Sequence, residues 1–320
     1  MVRTTALSPH IGLEILGVDL EQPLSAALQD QLRQAWISGG ILLFRGGGTS
    51  ADTHLRLSRV FGDLEPSATR NYNLDSNPYI MQVVQDPQKP PFDGTLYELD
   101  GERIYGFVPW HWDQTFMPTI VRGAVLRMIE PATRGGRTGF IDAIAAYERL
   151  PAALRNRIEN LEVVYCYTDV PDHISRVGLG LPQGLRVLQE AAPSDAAKKY
   201  HQFPPTVHPL VITQRETGRK VLKYSPLHSQ YILGMDRTQS DELLAEISDY
   251  LADQRYAYFH DWGANDMIVW DNWRVIHMVC GAPPEVRRYA QRTTILGDYD
   301  LGRYLDPKLD KRNGVVTYVD

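Results

Sequence analysis

The chain has 320 residues, 43% of them hydrophobic, with 33 Lys and Arg against 39 Asp and Glu for a net charge of −6. That length can bury a large core, as one large domain or two small ones, and an acidic balance without any basic run or tail argues against nucleic acid and anionic membrane surfaces as partners. No apolar run approaches the ~20 residues that cross a bilayer, the opening Met1-Val-Arg-Thr-Thr-Ala-Leu7 lacks the apolar core of a secretory signal, and Cys166 and Cys280 stand far apart, so a cytoplasmic protein with buried reduced thiols is expected.

Residues 1–20 read as short strands, with Gly12-Leu-Glu-Ile-Leu-Gly17 ending in a glycine turn. Ser25 can cap a helix over about 26–38, where Leu28, Leu32 and Trp36 recur at helical spacing and Gly39-Gly40 stops it. Ile41-Leu-Leu-Phe-Arg45 is a short buried strand, and Ser50 and Asp52 open a second helix that ends near Phe61-Gly62. Tyr79-Ile-Met-Gln-Val-Val84 reads as a strand. Asp86 to Gly106 is rich in Pro, Gly and charge, so about 66–108 reads as an active-site lid. A strand over 121–129, a Gly135-Gly136 turn, a strand over 138–141, helices over 143–150 and 151–159 and a strand over 161–167 follow. Residues 170–205 read as irregular, 210–223 as a hairpin, and Ser240 as the cap of a helix to about 253; strands at 256–260, 267–270 and 289–296 complete the set. The pattern predicts one domain over 1–320, mainly β with flanking helices, built on a β-sandwich or jelly roll.

The chemistry centres on Phe107-Val-Pro-Trp-His-Trp-Asp-Gln-Thr-Phe116. In an extended run His111 and Asp113 project from one face, and no other histidine of the nine is followed two places on by Asp or Glu. A third ligand should come from a facing strand. His277, after Met267-Ile-Val-Trp-Asp-Asn-Trp-Arg-Val-Ile276, is the best candidate, with Asp271-Asn272 as a turn that orients it. Two histidines and one carboxylate on one side of a metal leave open positions for a bidentate cosubstrate and O₂, the arrangement typical of non-haem Fe(II) oxygenases. Arg288 and Arg292 follow, four residues apart and so on one face of a strand, where a planar guanidinium can grip a carboxylate through two hydrogen bonds.

These residues resemble the taurine/2,4-dichlorophenoxyacetate dioxygenase family of Fe(II)- and 2-oxoglutarate-dependent enzymes. The matching runs are Trp110-His-Trp-Asp-Gln-Thr-Phe116, Gly135-Gly-Arg-Thr-Gly-Phe-Ile-Asp-Ala-Ile-Ala-Ala-Tyr147, Ile268-Val-Trp-Asp-Asn-Trp-Arg-Val-Ile-His277 and Arg288-Tyr-Ala-Gln-Arg-Thr-Thr-Ile-Leu-Gly-Asp298; weaker ones are Phe61-Gly-Asp-Leu-Glu65 and Ile11 to Leu24. The resemblance implies a double-stranded β-helix with His111, Asp113 and His277 as iron ligands. It implies that Thr138 and Arg288 take the distal carboxylate of 2-oxoglutarate and that Arg292 takes an anionic group of the prime substrate. The implied reaction uses O₂ to decarboxylate 2-oxoglutarate to succinate and CO₂ while an aliphatic C–H of a small or medium organic acid is oxidised, most simply by hydroxylation; desaturation or oxidative rearrangement is the same-class variant.

Pro66-Ser-Ala-Thr-Arg-Asn-Tyr-Asn73 and Phe107 depart from the residues that taurine-binding members carry, so taurine is not the expected substrate. Tyr72, Tyr97, Tyr105 and Phe107 make the lid aromatic and are candidate contacts for a larger or more apolar acid. A homo-oligomer, dimer or tetramer, is the expected assembly. From other classes, a zinc hydrolase could use the same three ligands with a metal-bound water but would not need the Thr138/Arg288 clamp, and a metal-free binding jelly roll would tolerate loss of His111.

Overall fold

Strands that read as unbroken apolar runs, such as Ile41-Leu-Leu-Phe44 and Met267-Ile-Val-Trp270, must be covered on both faces, and this requirement sets the layering. The computed structural model describes residues 2–68, 72–88, 95–167, 181–189 and 203–309. In chain order the strands are β1 (Arg3–Ala6), β2 (Leu13–Leu16), β3 (Ile41–Phe44), β4 (Leu64–Glu65), β5 (Asn73–Leu74), β6 (Asn77–Gln85), β7 (Leu96–Leu99), β8 (Glu102–His111), β9 (Gly123–Glu130), β10 (Thr138–Asp142), β11 (Glu162–Tyr165), β12 (Arg186–Gln189), β13 (Thr206–Pro209), β14 (Val211–Thr213), β15 (Lys220–Leu222), β16 (Ser229–Ile232), β17 (Tyr258–His260), β18 (Met267–Asp271), β19 (Val275–Ala282), β20 (Arg288–Ile295) and β21 (Arg303–Tyr304). The α-helices are α1 (Ala26–Gly39), α2 (Ala51–Val60), α3 (Ala143–Arg149), α4 (Ala152–Ile158) and α5 (Arg237–Leu251).

The larger sheet runs β1-β2-β3-β18-β9-β20-β6-β5, with β4 also on β20; the smaller runs β12-β7-β8-β19-β10-β17. Side chains alternate cleanly between faces. Ile268, Trp270, Ala124, Leu126, Met128, Leu43 and Ala290 of the larger sheet meet Phe140 and Val275 of the smaller one in the space between the sheets. Their neighbours Met267, Val269, Val125, Leu42 and Phe44 turn outward against Leu32 and Trp36 of α1 and Leu57 and Val60 of α2. On the far side, Ile141, Ile276 and Met278 turn outward against α3 and α5, alongside Trp110 and Trp112. The fold is a jelly roll with helices on both flanks. Fully burying one such side chain contributes about 1.5–3 kcal/mol, so each strand is held by its own core contacts. The same alternation aims Thr138, His277, Arg288 and Arg292 into the central space.

One irregularity redirects a predicted site residue. Against β19, His111 pairs with His277 but Val108 pairs with Val279, so β8 carries one extra residue at Pro109, where no N–H is available for the ladder. Beyond this bulge the faces exchange: Phe107 points outward into the flanking cluster and stacks edge-on with Tyr97 at 5.3 Å. Tyr105, opposite Ala282, is half-buried.

Much of the stretch read as an irregular lid is regular structure. Residues 96–111 form the β7–β8 hairpin, turned at Asp100-Gly101 with φ of 53° and 81°. Asp-Gly is the two-residue signature of that turn; residues 69–71 and 89–94 lie outside the described residues, as does most of 170–205. The predicted helices form with Ser25, Ser50 and Asp142 as caps. The α5 helix starts earlier than expected: Asp236 is its cap, and the Ser240 hydroxyl instead accepts from the Ile232 N–H at 2.8 Å. Among the described residues no helix is long and apolar enough to cross a membrane, and Cys166 and Cys280 are unpaired.

Lys223, just past β15, is 2% exposed, and its Nζ has no hydrogen-bond partner among the described residues; it lies 3.4 Å above the Trp112 ring. Burial pushes its amine well below the ordinary ammonium range, against the pull of Asp113 and Asp271. A base whose folded pKa is depressed carries its full stability cost at every pH below the folded value, and the cost fades as pH rises from there toward the unfolded value. Lys223→Met is expected to stabilise the fold by about 1–3 kcal/mol near neutral pH and to flatten the alkaline rise in stability, checked by denaturant melts across pH.

Candidate active site

His111 ends β8, His277 lies near the start of β19, and Asp113 follows the strap after β8. His111 and His277 are directly paired across the ladder, with ring centroids 4.2 Å apart. Asp113 lies 3.8 Å from each ring: Oδ1 from His111 Nε2 and Oδ2 from His277 Nε2. The three ligand atoms fall within 4.8 Å of one another. The Pro109 carbonyl can only accept, so His111 Nδ1 donates to it at 2.7 Å and Nε2 keeps its lone pair for a metal. Burial lowers the pKa of both imidazoles, with Asp113 pulling the other way, which keeps them neutral as ligands must be. Burial alone would raise the Asp113 carboxyl, but the positive charge of Arg292 beside it opposes this, and the carboxyl stays below the usual carboxylate range.

The strap is fixed by Asn272. Its Oδ1 accepts from the Asp113 N–H at 3.0 Å, and its Nδ2 donates to the carbonyls of Asp113 and Val121, each at 3.1 Å. The chain then turns sharply through Gln114, a non-glycine residue at φ 58°. Asp271 accepts from the Trp273 N–H and pairs with Arg122, while Arg274 grips Asp142 with two hydrogen bonds (3.1 and 2.7 Å) and the last carbonyls of α1. The turn expected to orient His277 therefore also holds Asp113. Replacing Asn272 with Ala leaves at least one buried backbone group unpaired, and the expected result is a loss of about 3 kcal/mol of stability together with a 10- to 100-fold weaker hold on Fe(II), read by thermal melting and anaerobic metal titration.

Arg288 is 6% exposed and its side chain has no hydrogen bond or ion pair among the described residues; burial brings its pKa down to about 10. Gly136 makes room for it: Gly135 and Gly136 both have positive φ, and a Cβ on Gly136 would sit 3.4 Å from Arg288 Cδ. Thr138, two residues on, faces the same space, and its Oγ1 accepts from Trp262 Nε1 at 3.0 Å. Arg292 donates to Asp113 Oδ2 at 2.7 Å. Tyr97 and Phe107 lie in the outer cluster, and Tyr105 on β8 and Tyr72 by β5 are half-buried. The sequence does not single out Trp262 or Lys223; an indole two residues past a short, half-buried strand carries no local signal.

The donor set fits a ferrous ion: two neutral imidazoles and one ionised carboxylate converge, with an orphaned buried guanidinium beyond them. A jelly roll carrying this set defines the class of two-histidine, one-carboxylate oxygenases. Residues 3–294 match the taurine catabolism dioxygenase TauD, TfdA family, and the chain belongs to it as an Fe(II)- and 2-oxoglutarate-dependent dioxygenase. It is 26% identical over 295 residues to an alpha-ketoglutarate-dependent 2,4-dichlorophenoxyacetate dioxygenase of Cupriavidus pinatubonensis, covering 91% of this chain and 96% of that one. It is 29% identical over 294 residues to an (S)-phenoxypropionate/alpha-ketoglutarate-dioxygenase of Sphingobium herbicidovorans, covering 91% and 94%. A crystal structure of a putative alpha-ketoglutarate-dependent taurine dioxygenase from Burkholderia xenovorans superposes with a TM-score of 0.72 at 25% identity, covering 96% of this chain and 92% of that one.

Proposed function

We propose that the chain, acting as one catalytic domain over 1–320, oxidises an aliphatic C–H of a small or medium organic acid carrying a single acidic group. The observation that supports this is the charge lining the site. Asp113 is matched by Arg292, and Arg288 is left over. With a divalent ion added, the centre carries three uncancelled positive charges. A 2-oxoglutarate dianion takes two, and a substrate monoanion takes the third. The relatives named above act on aryloxyalkanoic acids, which have this charge.

In this reading His111, Asp113 and His277 hold Fe(II), which supplies the centre where O₂ is used and 2-oxoglutarate is decarboxylated. Thr138 and Arg288 seat the distal carboxylate, where a planar fork of donors matches two oxygens. Arg292 swings between Asp113 and the substrate's acid group, and the half-buried Tyr105 is a candidate substrate contact. The flanking apolar wall of Phe140, Trp270 and Leu126 keeps bulk water from the metal side. Hydroxylation is the simplest outcome; desaturation or rearrangement uses the same residues. A cytoplasmic homo-oligomer completes the reading, in keeping with two unpaired cysteines.

Anaerobic Fe(II) plus 2-oxoglutarate is expected to give a weak visible charge-transfer band that shifts when aryloxyalkanoic or similar monoacids are added and stays put with their methyl esters. A band that moves equally with acids and esters overturns the charge argument; no band at all overturns the assigned cosubstrate residues.

A further inference from the structure

We infer that Trp262 is a positioning residue for the cosubstrate: it fixes the Thr138 hydroxyl as a donor and so selects a carboxylate at the far end of the keto acid. This rests on the reading that Thr138 and Arg288 seat that carboxylate.

An indole N–H can only donate. Trp262 Nε1 donates to Thr138 Oγ1 at 3.0 Å, so the hydroxyl is an acceptor on that side and its single hydrogen must be directed elsewhere. Thr138 is 3% exposed and stands on the inward face of β10, so bulk water is largely denied to that hydrogen. No side chain among the described residues accepts it. The nearby Arg288 side chain, packed against Gly136, offers donors only. The pocket end is therefore lined by donors, and only a group that accepts at more than one oxygen satisfies it. An alcohol or amide terminus would bring its own hydrogens against them.

Trp262 is held in this pose by a buried network. Its ring packs on the inner cluster and stands edge-on to His260 at 4.5 Å and 89°. His260 is fully buried, bridged to the Tyr258 hydroxyl at 2.8 Å and to Asp266 Oδ2 at 3.3 Å. Asp266 accepts from the N–H groups of Gly46 and Gly263, each at 2.9 Å, and from Arg45 at 3.1 Å. The loop carrying Trp262 is thus tied to the turn after β3, and the indole cannot swing away without breaking buried hydrogen bonds.

The test measures affinity, by calorimetry on the Mn(II)-loaded enzyme, for two ligands: 2-oxoglutarate, and 2-oxobutanoate, which keeps the keto-acid end and lacks the distal carboxylate. Trp262→Phe keeps the ring and removes the donor. The expected result is about five- to tenfold weaker binding of 2-oxoglutarate with unchanged binding of 2-oxobutanoate, and no further loss when Trp262→Phe is added to Thr138→Ala. Equal weakening of both ligands, full additivity with Thr138→Ala, or no effect at all overturns the inference while leaving the seating of the carboxylate intact. If Thr138→Ala and Arg288→Met themselves leave 2-oxoglutarate binding unchanged, the underlying reading fails instead.

Discussion

Asp113→Ala is expected to cut succinate formation at least about a thousandfold, which is roughly 4 kcal/mol of lost transition-state stabilisation. The size follows from what this carboxylate touches. It is the one anionic ligand of the triad, it lies 3.8 Å from both imidazoles, and it is the ion-pair partner of Arg292 at 2.7 Å. Removing it leaves two neutral donors for a divalent ion and the half-buried Arg292 guanidinium facing them. Losing one partner of a buried pair costs about 3–5 kcal/mol, so the metal-free variant should also melt earlier. Asp113→Asn separates the two effects: it keeps the shape and the hydrogen bond from Arg292, restores part of the melting temperature and restores little turnover. Succinate release, anaerobic Fe(II) titration and thermal melts check all three. A variant that binds iron and turns over as the parent does would remove Asp113 from the metal site.

How much of this was legible beforehand depends on the range over which each feature is encoded. His111, Asp113 and His277 could be found because strand alternation acts over two to four residues and their runs resemble family motifs. Phe107 is turned to the outer face by the bulge at Pro109, which exchanges the faces of β8 and is visible only against the partner strand. The β7–β8 hairpin was hidden by its setting: Asp100-Gly101 carries a turn signal, but the surrounding proline, glycine and charge drew the whole stretch into a lid. The hold of Asn272 on Asp113 spans 159 residues, and that of Trp262 on Thr138 spans 124. Neither spacing has any local signature. Lys223 was unreadable for a different reason. In Lys220-Val-Leu-Lys223 it looks like the solvated end of a hairpin, and only the packing of Trp112 over it shows an amine buried in an apolar wall.

Arg288→Met should move stability and affinity in opposite directions. Without ligand, Arg288 is a buried guanidinium with no partner among the described residues, and burial alone takes its pKa to about 10. A base with a folded pKa below its unfolded value carries its full stability cost at every pH under the folded value, so neutral buffer shows all of it. Methionine fills similar space without a charge, and the metal-loaded but cosubstrate-free variant is therefore expected to melt higher than the parent. The gain from 2-oxoglutarate should then collapse. A charge-assisted hydrogen bond is worth about 1.5–3 kcal/mol, and loss of the paired set weakens binding by about 100-fold. At a ligand concentration that stabilises the parent by about 2.7 kcal/mol, a hundredfold in excess of its dissociation constant, the variant gains under about 0.5 kcal/mol. Arg288→Lys, a point charge without the fork, should fall between the two. Thermal melts of the Mn(II)-loaded proteins with and without 2-oxoglutarate read both signs at once. A variant that melts lower without ligand and keeps its full ligand-induced shift would mean that the guanidinium is a structural group whose burial has nothing to do with seating a carboxylate.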